Sequence, residues 1–406
     1  MNLLQKKSQL SVISHKQKGF TLVELMVAMA ISLFLLIAIA LVYQSSKNGF
    51  AYSNNTVRMS EDASFAIDSL SRDIRMAGYG GCSGVSATDG PDGIKNNADD
   101  VYIPALNNVT TPIFTTTLAA AKLPNPFSKS IFNARESLVG YKDKTTAATA
   151  ASTAGTPSPN FFTSTQYTIS TTAPILFLSG GSSKAVQVKA ALLKNQKIAD
   201  LGNDVNKWSN SGSEIFMLIA DCKNSEVLRT FALQATGVIN NESNFIKDYG
   251  ADAIVTPIET ATYFLATRTG ANTASLYRRF FDGKNSATDE LVPNVEAITF
   301  QYGLNTSCIG SASCTSPNTT PSYIADTYVK DIDANFATMD WSRVVSVRMG
   351  LIMVTEENGQ TAKASKAGTG GDKIAWLDGQ YLVPTADRRL RRAYSTTVTI
   401  RNRGTF

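Results

Sequence analysis

Apolar residues are distributed unevenly along the chain, and the densest stretch covers residues 20 to 42. Thr21, Glu24 and Ser32 are its only polar residues, and neither proline nor glycine interrupts it. A helix of this length rises about 35 Å at ~1.5 Å per residue, and the hydrocarbon core of a bilayer is about 30 Å thick. The pattern therefore predicts a continuous membrane-spanning helix.

The helical pattern continues beyond this stretch. Between Asn54 and Ala77, apolar residues recur every three or four positions, which is the spacing of one helix face. The predicted face consists of Ala63, Ile67, Leu70, Ile74 and Ala77. Glycines at 78, 80 and 81 predict the end of the helix. We expect one long helix that is apolar all round in its first half and amphipathic in its second.

From about Val101 onward, the pattern predicts short strands and loops. Alternation of apolar and polar residues is clearest in residues 298–302 and 345–353. The predicted strands cover residues 161–169, 174–178, 214–220, 227–233, 262–267, 275–280, 295–302, 344–354 and 396–400. Residues 145–159, rich in Thr, Ala, Ser and Pro, predict an exposed loop. The expected fold class is α+β: a long N-terminal helix followed by a large, mostly antiparallel β region.

A basic segment with four lysines precedes the apolar stretch and ends at Gly19. A secretory signal would place its small-residue cleavage site after the apolar stretch, and no Ala-x-Ala-like site follows residue 42. The sequence Gly-Phe-Thr-Leu-Val-Glu behind a basic leader closely resembles the prepilin signal of type IV pilins and type II secretion pseudopilins. The resemblance implies that a prepilin peptidase cleaves between Gly19 and Phe20 and that Phe20 is then N-methylated.

Glu24 is the one acidic residue inside the apolar stretch. A charged side chain within a membrane is costly and by default functional, although Glu24 could instead lie at the interface and reach the headgroups. In an assembled filament its carboxylate would be buried and would need a cation. The resemblance implies that this cation is the methylated amino terminus of Phe20 in a neighbouring subunit.

Three C-terminal segments, residues 292–303, 340–351 and 388–403, follow one another in the order typical of a known family. Together with Asp-Ile-Arg-Met-Ala-Gly-Tyr-Gly-Gly-Cys at residues 73–82, they resemble the PilW family of minor type IV pilins. The resemblance covers both ends of the chain but not the middle, roughly residues 100–290.

The resemblance and the hydrophobic pattern together predict four regions. A leader peptide occupies residues 1–19, a transmembrane and filament-core helix 20–42, its amphipathic continuation 43–81, and a β-rich globular domain 82–406. The basic leader favours retention of the amino-terminal end in the cytoplasm. We therefore expect a single-pass inner-membrane protein with its globular domain in the periplasm, which later enters the pilus at the cell surface.

The family resemblance implies a minor pilin that helps to prime type IV pilus assembly, lies at or near the pilus tip, and supports twitching motility and adhesion. The implied partners are other minor pilins, the major pilin, the prepilin peptidase and methylase, the inner-membrane assembly platform, and membrane lipid before assembly. Two other functions remain open: a J-type pseudopilin of type II secretion, and a tip adhesin or DNA-uptake module.

Charge gives little support to nucleic-acid binding. Removal of the leader with its four lysines lowers the formal net charge from +5 to +1. One cluster of arginines could contact phosphate. It consists of Arg388, Arg389, Arg391 and Arg392. The family resemblance makes this cluster a structural segment that leads into the last strand, and we do not expect nucleic acid as a partner.

Catalysis has few candidate residues. The single histidine, His15, lies in the leader, so the predicted mature chain lacks the residue on which Ser-His-Asp, Cys-His and His-based metal sites depend. The sequence contains neither a phosphate-binding Gly-x-x-x-x-Gly-Lys motif nor a Rossmann fingerprint. We expect neither an enzyme nor a cofactor.

Cys82, Cys222, Cys308 and Cys314 suit an oxidising compartment and allow three disulfide pairings. The short Gly/Ser-rich loop between Cys308 and Cys314 favours that pair, which leaves Cys82 with Cys222. Four free buried thiols are the alternative.

Residues 88–100 are dense in turn formers and carboxylates but lack the ligand spacing of an EF-hand. We expect a solvated loop there rather than a metal site. If the loop bound a metal, the candidate ligands would be Asp89, Asp92, Asp99 and Asp100.

Overall fold

The structure is a computed structural model. It describes residues 19–81, 85–88, 101–104, 137–153, 164–202, 215–221, 225–233, 237–241, 244–245, 247–283, 286–305, 324–356, 372–377, 379–384 and 387–402. The chain divides into two units, residues 1–56 and 57–406. Helix α1, Leu22–Met76, begins in the first unit and ends in the second.

The described strands follow one another as β1 (Val85–Thr88), β2 (Val101–Pro104), β3 (Leu138–Tyr141), β4 (Tyr167–Ile169), β5 (Ile175–Gly181), β6 (Val186–Gln187), β7 (Ile198–Asp200), β8 (Ile215–Ala220), β9 (Ser225–Leu233), β10 (Val238–Asn241), β11 (Ile254–Arg268), β12 (Ala274–Phe281), β13 (Ser286–Val292), β14 (Val295–Leu304), β15 (Thr327–Lys330), β16 (Val344–Val354), β17 (Lys373–Trp376), β18 (Gly379–Leu382) and β19 (Arg391–Thr399). Helix α2, Lys144–Thr153, lies between β3 and β4, and two short 3-10 helices, Phe336–Thr338 and Trp341–Arg343, precede β16.

The first unit presents its apolar side chains outward on every side of α1. Residues 19 to 50 are all exposed, including the large side chains of Leu33 and Phe34. A helix that is apolar all round requires an apolar environment, which a membrane or a bundle of similar helices provides. Among the described residues, α1 is the one helix long and apolar enough to span a membrane.

In the second unit, α1 buries one face. The buried apolar residues of this face are Met59, Ala63, Ala66, Leu70, Ile74 and Ala77. Their spacing of three and four residues follows the helical repeat, so they lie along one side. The predicted face is confirmed except at its edge, where Ala66 is fully buried and Ile67 is only partly buried.

The C-terminal end of α1 is fixed by backbone and side-chain hydrogen bonds. Gly78 has a positive φ of 76°, a conformation that favours glycine, and its N–H donates to the Ser179 carbonyl at 2.8 Å. The Asn402 side-chain amide donates to the carbonyls of Arg75 and Ala77 at 3.3 and 3.2 Å. The last described residue of the chain therefore satisfies carbonyls that a helix end leaves free.

The larger sheet has eleven described strands, and β11 is its central member. Residues 254–257 of β11 pair with β8, and residues 260–267 pair with β12. Residues 258–263 also pair with β5, and residues 266–268 pair with β4. All these pairings are antiparallel, as predicted, and nearly every residue of β11 is buried.

A smaller sheet has the described strand order β15-β14-β16-β19, again antiparallel. Alternate residues of its strands, such as Phe300 and Met349, enter the same core as Ala261 and Leu265 of β11. The buried face of α1 belongs to this core as well. The helix therefore packs against side chains from both sheets, which confirms the predicted α+β fold.

A second core lies in a different part of the larger sheet. It contains Met217 and Ile219 of β8, Ile239 of β10, and Phe245. These residues come from the middle of the chain, and they are packed independently of α1.

The prediction of a loop at residues 145–159 is wrong for the part that the structure describes, because α2 occupies it. Asp143 caps this helix: its Oδ1 accepts a hydrogen bond from the Thr146 N–H at 2.8 Å, and the Thr146 Oγ1 accepts one from the Asp143 N–H at 3.0 Å. Ala147 is fully buried, and alanine has the highest helix propensity. The low-complexity composition led to the prediction of a loop, although the segment forms a helix with an N-terminal cap and a buried alanine.

Candidate assembly sites

The N-terminal end of α1 is a capping box made by Thr21 and Glu24. The Glu24 Oε2 accepts hydrogen bonds from the Thr21 N–H at 3.0 Å and from the Thr21 Oγ1 at 3.1 Å. In return, the Thr21 Oγ1 accepts from the Glu24 N–H at 3.2 Å. This reciprocal arrangement satisfies two backbone donors that a helix leaves free at its start. It holds the Glu24 carboxylate against the first turn of the helix.

The capping box supplies hydrogen bonds but no positive charge. In the part of the chain that the structure describes, no cation lies within ion-pairing distance of Glu24, and its side chain is exposed. A carboxylate that becomes buried among apolar helices needs a cation to offset the loss of water. The geometry therefore leaves Glu24 oriented and available for a cation from outside the chain.

Gly19 and Phe20 precede the helix and have no regular secondary structure. Phe20 is 86% exposed, so the peptide bond between them lies in an accessible segment. A Cβ added at Gly19 would meet no atom within 4 Å. Among the described residues, no contact therefore requires a glycine at position 19.

The remaining predicted site residues fall outside the described residues. These are the four cysteines, Cys82, Cys222, Cys308 and Cys314, and the four aspartates, Asp89, Asp92, Asp99 and Asp100. The disulfide pairing and the solvated loop stay predictions.

A polar cluster joins α1 to the larger sheet, and we call it the helix anchor: Ser69, Asp73, Tyr263 and Arg278. The Tyr263 hydroxyl donates to Asp73 Oδ2 at 2.7 Å, and Arg278 Nη2 lies 2.8 Å from the same oxygen. Ser69 Oγ lies 3.3 Å from the Tyr263 hydroxyl. Asp73 is only 14% exposed, so its two partners replace the water that its carboxylate loses.

Burial of Tyr263 raises the pKa of its hydroxyl above the ordinary value, and the negative charge of Asp73 raises it further. The hydroxyl therefore remains protonated and keeps donating to Asp73 under all physiological conditions. The helix anchor holds α1 in one position along β11.

Two arginines, Arg389 just before the last strand and Arg391 at its start, form ion pairs. Arg391 is 3% exposed and contacts both Glu296 and Asp387. Arg389 donates from Nε and Nη2 to Asp387 Oδ2 at 2.9 and 2.7 Å. The hydrogen bonds from Arg389 and then Arg391 hold the pKa of Asp387 well below its ordinary value. Arg389 and Arg391 thus have the structural role that the family resemblance implied.

Two family models match the chain. A model of the prokaryotic N-terminal methylation motif matches residues 14–40, which include Gly19, Phe20 and Glu24. A model of the type IV pilus-assembly protein W family, PilW, matches residues 262–402. No curated protein matches the chain.

An outward-facing apolar helix that carries this motif and continues into an antiparallel β unit defines a type IV pilin-like protein. The C-terminal match, over residues 262–402, supports a minor pilin similar to the PilW family. The matched region begins within β11 and ends at Asn402. It includes Tyr263 and Arg278 of the helix anchor, whereas the second core lies outside it.

Sequence reasoning missed the two polar arrangements that position α1. The capping box has a local signal, since Thr21 and Glu24 match the Thr-x-x-Glu pattern before an apolar run. The helix anchor has no such signal. Asp73 and Tyr263 are 190 residues apart, and only the packing of α1 against β11 brings them together.

The raised pKa values of buried tyrosines predict a loss of stability in alkali. Burial raises the pKa of Tyr263 and Tyr302, and burial and Glu296 raise the pKa of Tyr381 to about 12. The unfolded chain releases these protons near pH 10, whereas the folded protein retains them. The tyrosines' contribution to the free energy of unfolding is therefore complete below about pH 10 and declines as the pH rises further.

Tyr263→Phe should reduce this decline by about 0.7 kcal/mol per pH unit at pH 10, where half of the unfolded chains have lost the proton, and by up to about 1.4 kcal/mol per pH unit above about pH 11. Urea unfolding of the detergent-solubilised protein, followed by circular dichroism at several pH values, measures it. Thr262→Val removes a neighbouring buried hydroxyl that does not titrate in this range, and should lower stability equally at every pH. An unchanged pH slope in Tyr263→Phe would contradict the prediction.

Proposed function

We propose that this protein is a minor pilin that initiates assembly of a type IV pilus and lies at or near the pilus tip, where it supports twitching motility and adhesion. The observation that carries the proposal is the combination of an outward-facing apolar helix with one carboxylate, Glu24, held at its first turn. This arrangement is suited to lateral packing against similar helices, with one charge that selects the register.

The proposed maturation begins with cleavage between Gly19 and Phe20 by the prepilin peptidase, followed by N-methylation of Phe20. Cleavage creates a positively charged amino group one residue before the capping box. In the assembling bundle, this group on one subunit pairs with the Glu24 carboxylate of its neighbour. Since the capping box already orients that carboxylate, less conformational entropy is lost on pairing.

Before assembly, α1 anchors the protein in the inner membrane with the second unit in the periplasm. There the protein meets other minor pilins, the major pilin and the assembly platform. The size of the second unit supports a tip position, because a unit of about 350 residues repeated at every subunit would crowd a pilus shaft. The exposed half of α1 then nucleates the bundle on which the major pilin adds.

Deletion of the gene tests this function. Surface pili and twitching should fall at least about tenfold, with major pilin accumulating unassembled in the membrane because nucleation is the costly step of a cooperative assembly. Shearing and quantification of pili, with immunoblots of membrane fractions, measure both effects. Loss of exoprotein secretion with pili intact would instead identify a J-type pseudopilin, and loss of attachment or DNA uptake alone would identify a tip-binding module.

Gly19→Val tests the cleavage site. The branched side chain should block the peptidase, so that nearly all of the protein remains as full-length precursor in the inner membrane. Gly49→Val is the matched control, because Gly49 is an exposed glycine of α1 with no atom within 4 Å of an added Cβ. Immunoblotting and N-terminal sequencing distinguish the two forms. Normal trimming of Gly19→Val would rule out this cleavage site.

Variants of Glu24 and Thr21 separate the charge from the cap. Glu24→Gln can still form the capping box but has no charge, Glu24→Ala has neither, and Thr21→Ala loses the hydroxyl but keeps the charge. We expect all three to be cleaved. Incorporation into sheared pili should fall about tenfold or more for both Glu24 variants and stay near the wild-type level for Thr21→Ala, since tenfold corresponds to a modest loss of binding free energy.

A different order of incorporation among the three variants would overturn the proposed ion pair. If Glu24→Gln entered pili as well as the wild type while Glu24→Ala and Thr21→Ala did not, helix capping would account for the role of Glu24.

A further inference from the structure

A groove of about 1040 Å³ lies in the second unit beside β14, and we call it the β14 groove. Residues 296–299 of β14 line it, together with residues 168–174, from β4 and the segment after it, and residues 267–271, from the end of β11 and the turn after it. The β17–β18 hairpin contributes Trp376 and Tyr381. The family resemblance and the assembly mechanism assign no role to this groove.

Among the described strands, none pairs with one edge of β14 at the groove. β15 pairs only with Gln301–Leu304 of β14, and no other described strand pairs with that edge along residues 295–300. Alternate N–H and C=O groups of an unpaired strand edge are available to a ligand. The groove therefore offers backbone donors and acceptors in addition to its side chains.

Contacts with neighbouring residues fix the positions of the two aromatic side chains of the groove, Trp376 and Tyr381. The Trp376 indole packs directly on Gly350 of β16, where a Cβ would collide with it. The ring of Tyr381 stands perpendicular to the indole at 89°, with centroids 5.8 Å apart. The Tyr381 hydroxyl hydrogen-bonds to Glu296, which is itself paired with Arg391. Both rings remain partly exposed, so they form a rigid surface open to a ligand.

The rest of the lining is rich in hydroxyl groups, and the charges of the whole groove are balanced. The hydroxyl side chains that line it are Thr168, Ser170, Thr171, Thr172, Thr267 and Thr269. The charged lining residues are Arg268 and Lys330 against Glu296 and Asp331, two of each sign. This composition favours neither a phosphate, which would call for an excess of cations, nor a lipid chain, which would call for apolar walls.

We propose that the β14 groove binds a neutral oligosaccharide. A sugar ring presents C–H groups on its faces and hydroxyls around its rim, so it can stack on Trp376 or Tyr381 while hydrogen-bonding to threonines and to the open edge of β14. The volume of the groove exceeds what a single ring needs and suits several linked units.

An extended peptide is the competing occupant, since peptides can add to an open strand edge. The paired aromatic rings and the series of hydroxyl side chains are not needed for backbone pairing, whereas a saccharide uses both. The observations therefore favour the saccharide.

The test uses the full-length protein in a zwitterionic detergent without sugar groups. Maltotetraose, cellotetraose and N-acetylchitotetraose serve as probes, and isothermal titration calorimetry with saturation-transfer-difference NMR detects binding. We expect saturable binding of at least one tetrasaccharide. Thr171→Trp, which fills the groove from an exposed position, and Trp376→Ala should each weaken it about tenfold or more. Thr397→Trp is the matched control, because Thr397 is exposed on β19 and does not line the groove.

Three results would overturn the proposal: no saturable binding of any of the three tetrasaccharides to the folded protein, binding that Thr171→Trp leaves unchanged, or binding that Thr397→Trp weakens as much as Thr171→Trp does. A Thr-Val-Thr-Val-Thr peptide that binds in place of the sugars, and is lost in Thr171→Trp, would assign the groove to strand pairing.

Discussion

Burial of one face of α1 between two antiparallel sheets is the interaction on which the second unit depends. Both sheets have apolar side chains that must be covered, and Leu70 and Ile74 lie in the core to which β11, β14 and β16 contribute. Without the helix, these side chains of β14 and β16 would be exposed to water. The same helix carries the outward-facing apolar half, so a single element contributes to the core of the β unit and also forms the apolar surface of the first unit.

Polar contacts fix the position of α1 along the sheets. Apolar packing alone would allow a wider range of positions. The helix anchor fixes Asp73 to Tyr263 and Arg278, and Asn402 fixes the helix end. Tyr263, Arg278 and Asn402, whose side chains hold the helix, fall within the region matched by the PilW family, residues 262–402, whereas Ser179, which accepts from the Gly78 N–H, lies outside it. The second core around Met217 and Phe245 lies outside that region and makes no part of this arrangement. The family region therefore supplies the side-chain polar contacts that position α1, while strands outside it share in the packing.

Features that depend on residues close together in the sequence could be predicted, whereas features that depend on contacts between distant segments could not. The periodicity of Leu70 and Ile74 predicted the buried helix face, and the alternation in residues 344–354 predicted β16 with its observed bounds, because burial imprints a local period. Helix α2 was missed because a cap at Asp143 and one buried alanine are weak signals within a Thr/Ala-rich run. The helix anchor and the β14 groove combine residues from distant segments, and no local pattern encodes such proximity.

In the proposed assembly, Glu24 acts at two stages, first as a helix cap and then as a buried charge. In the separate subunit its carboxylate accepts both hydrogen bonds from Thr21, and its negative charge also favours the positive end of the helix dipole. These interactions orient the carboxylate without neutralising it. Packing among apolar helices then removes water, so that a register which brings a cation to Glu24 is favoured over every register that leaves the charge unpaired. An uncharged capping residue would not favour one register over another. A charged residue without the capping hydrogen bonds would not be oriented before assembly.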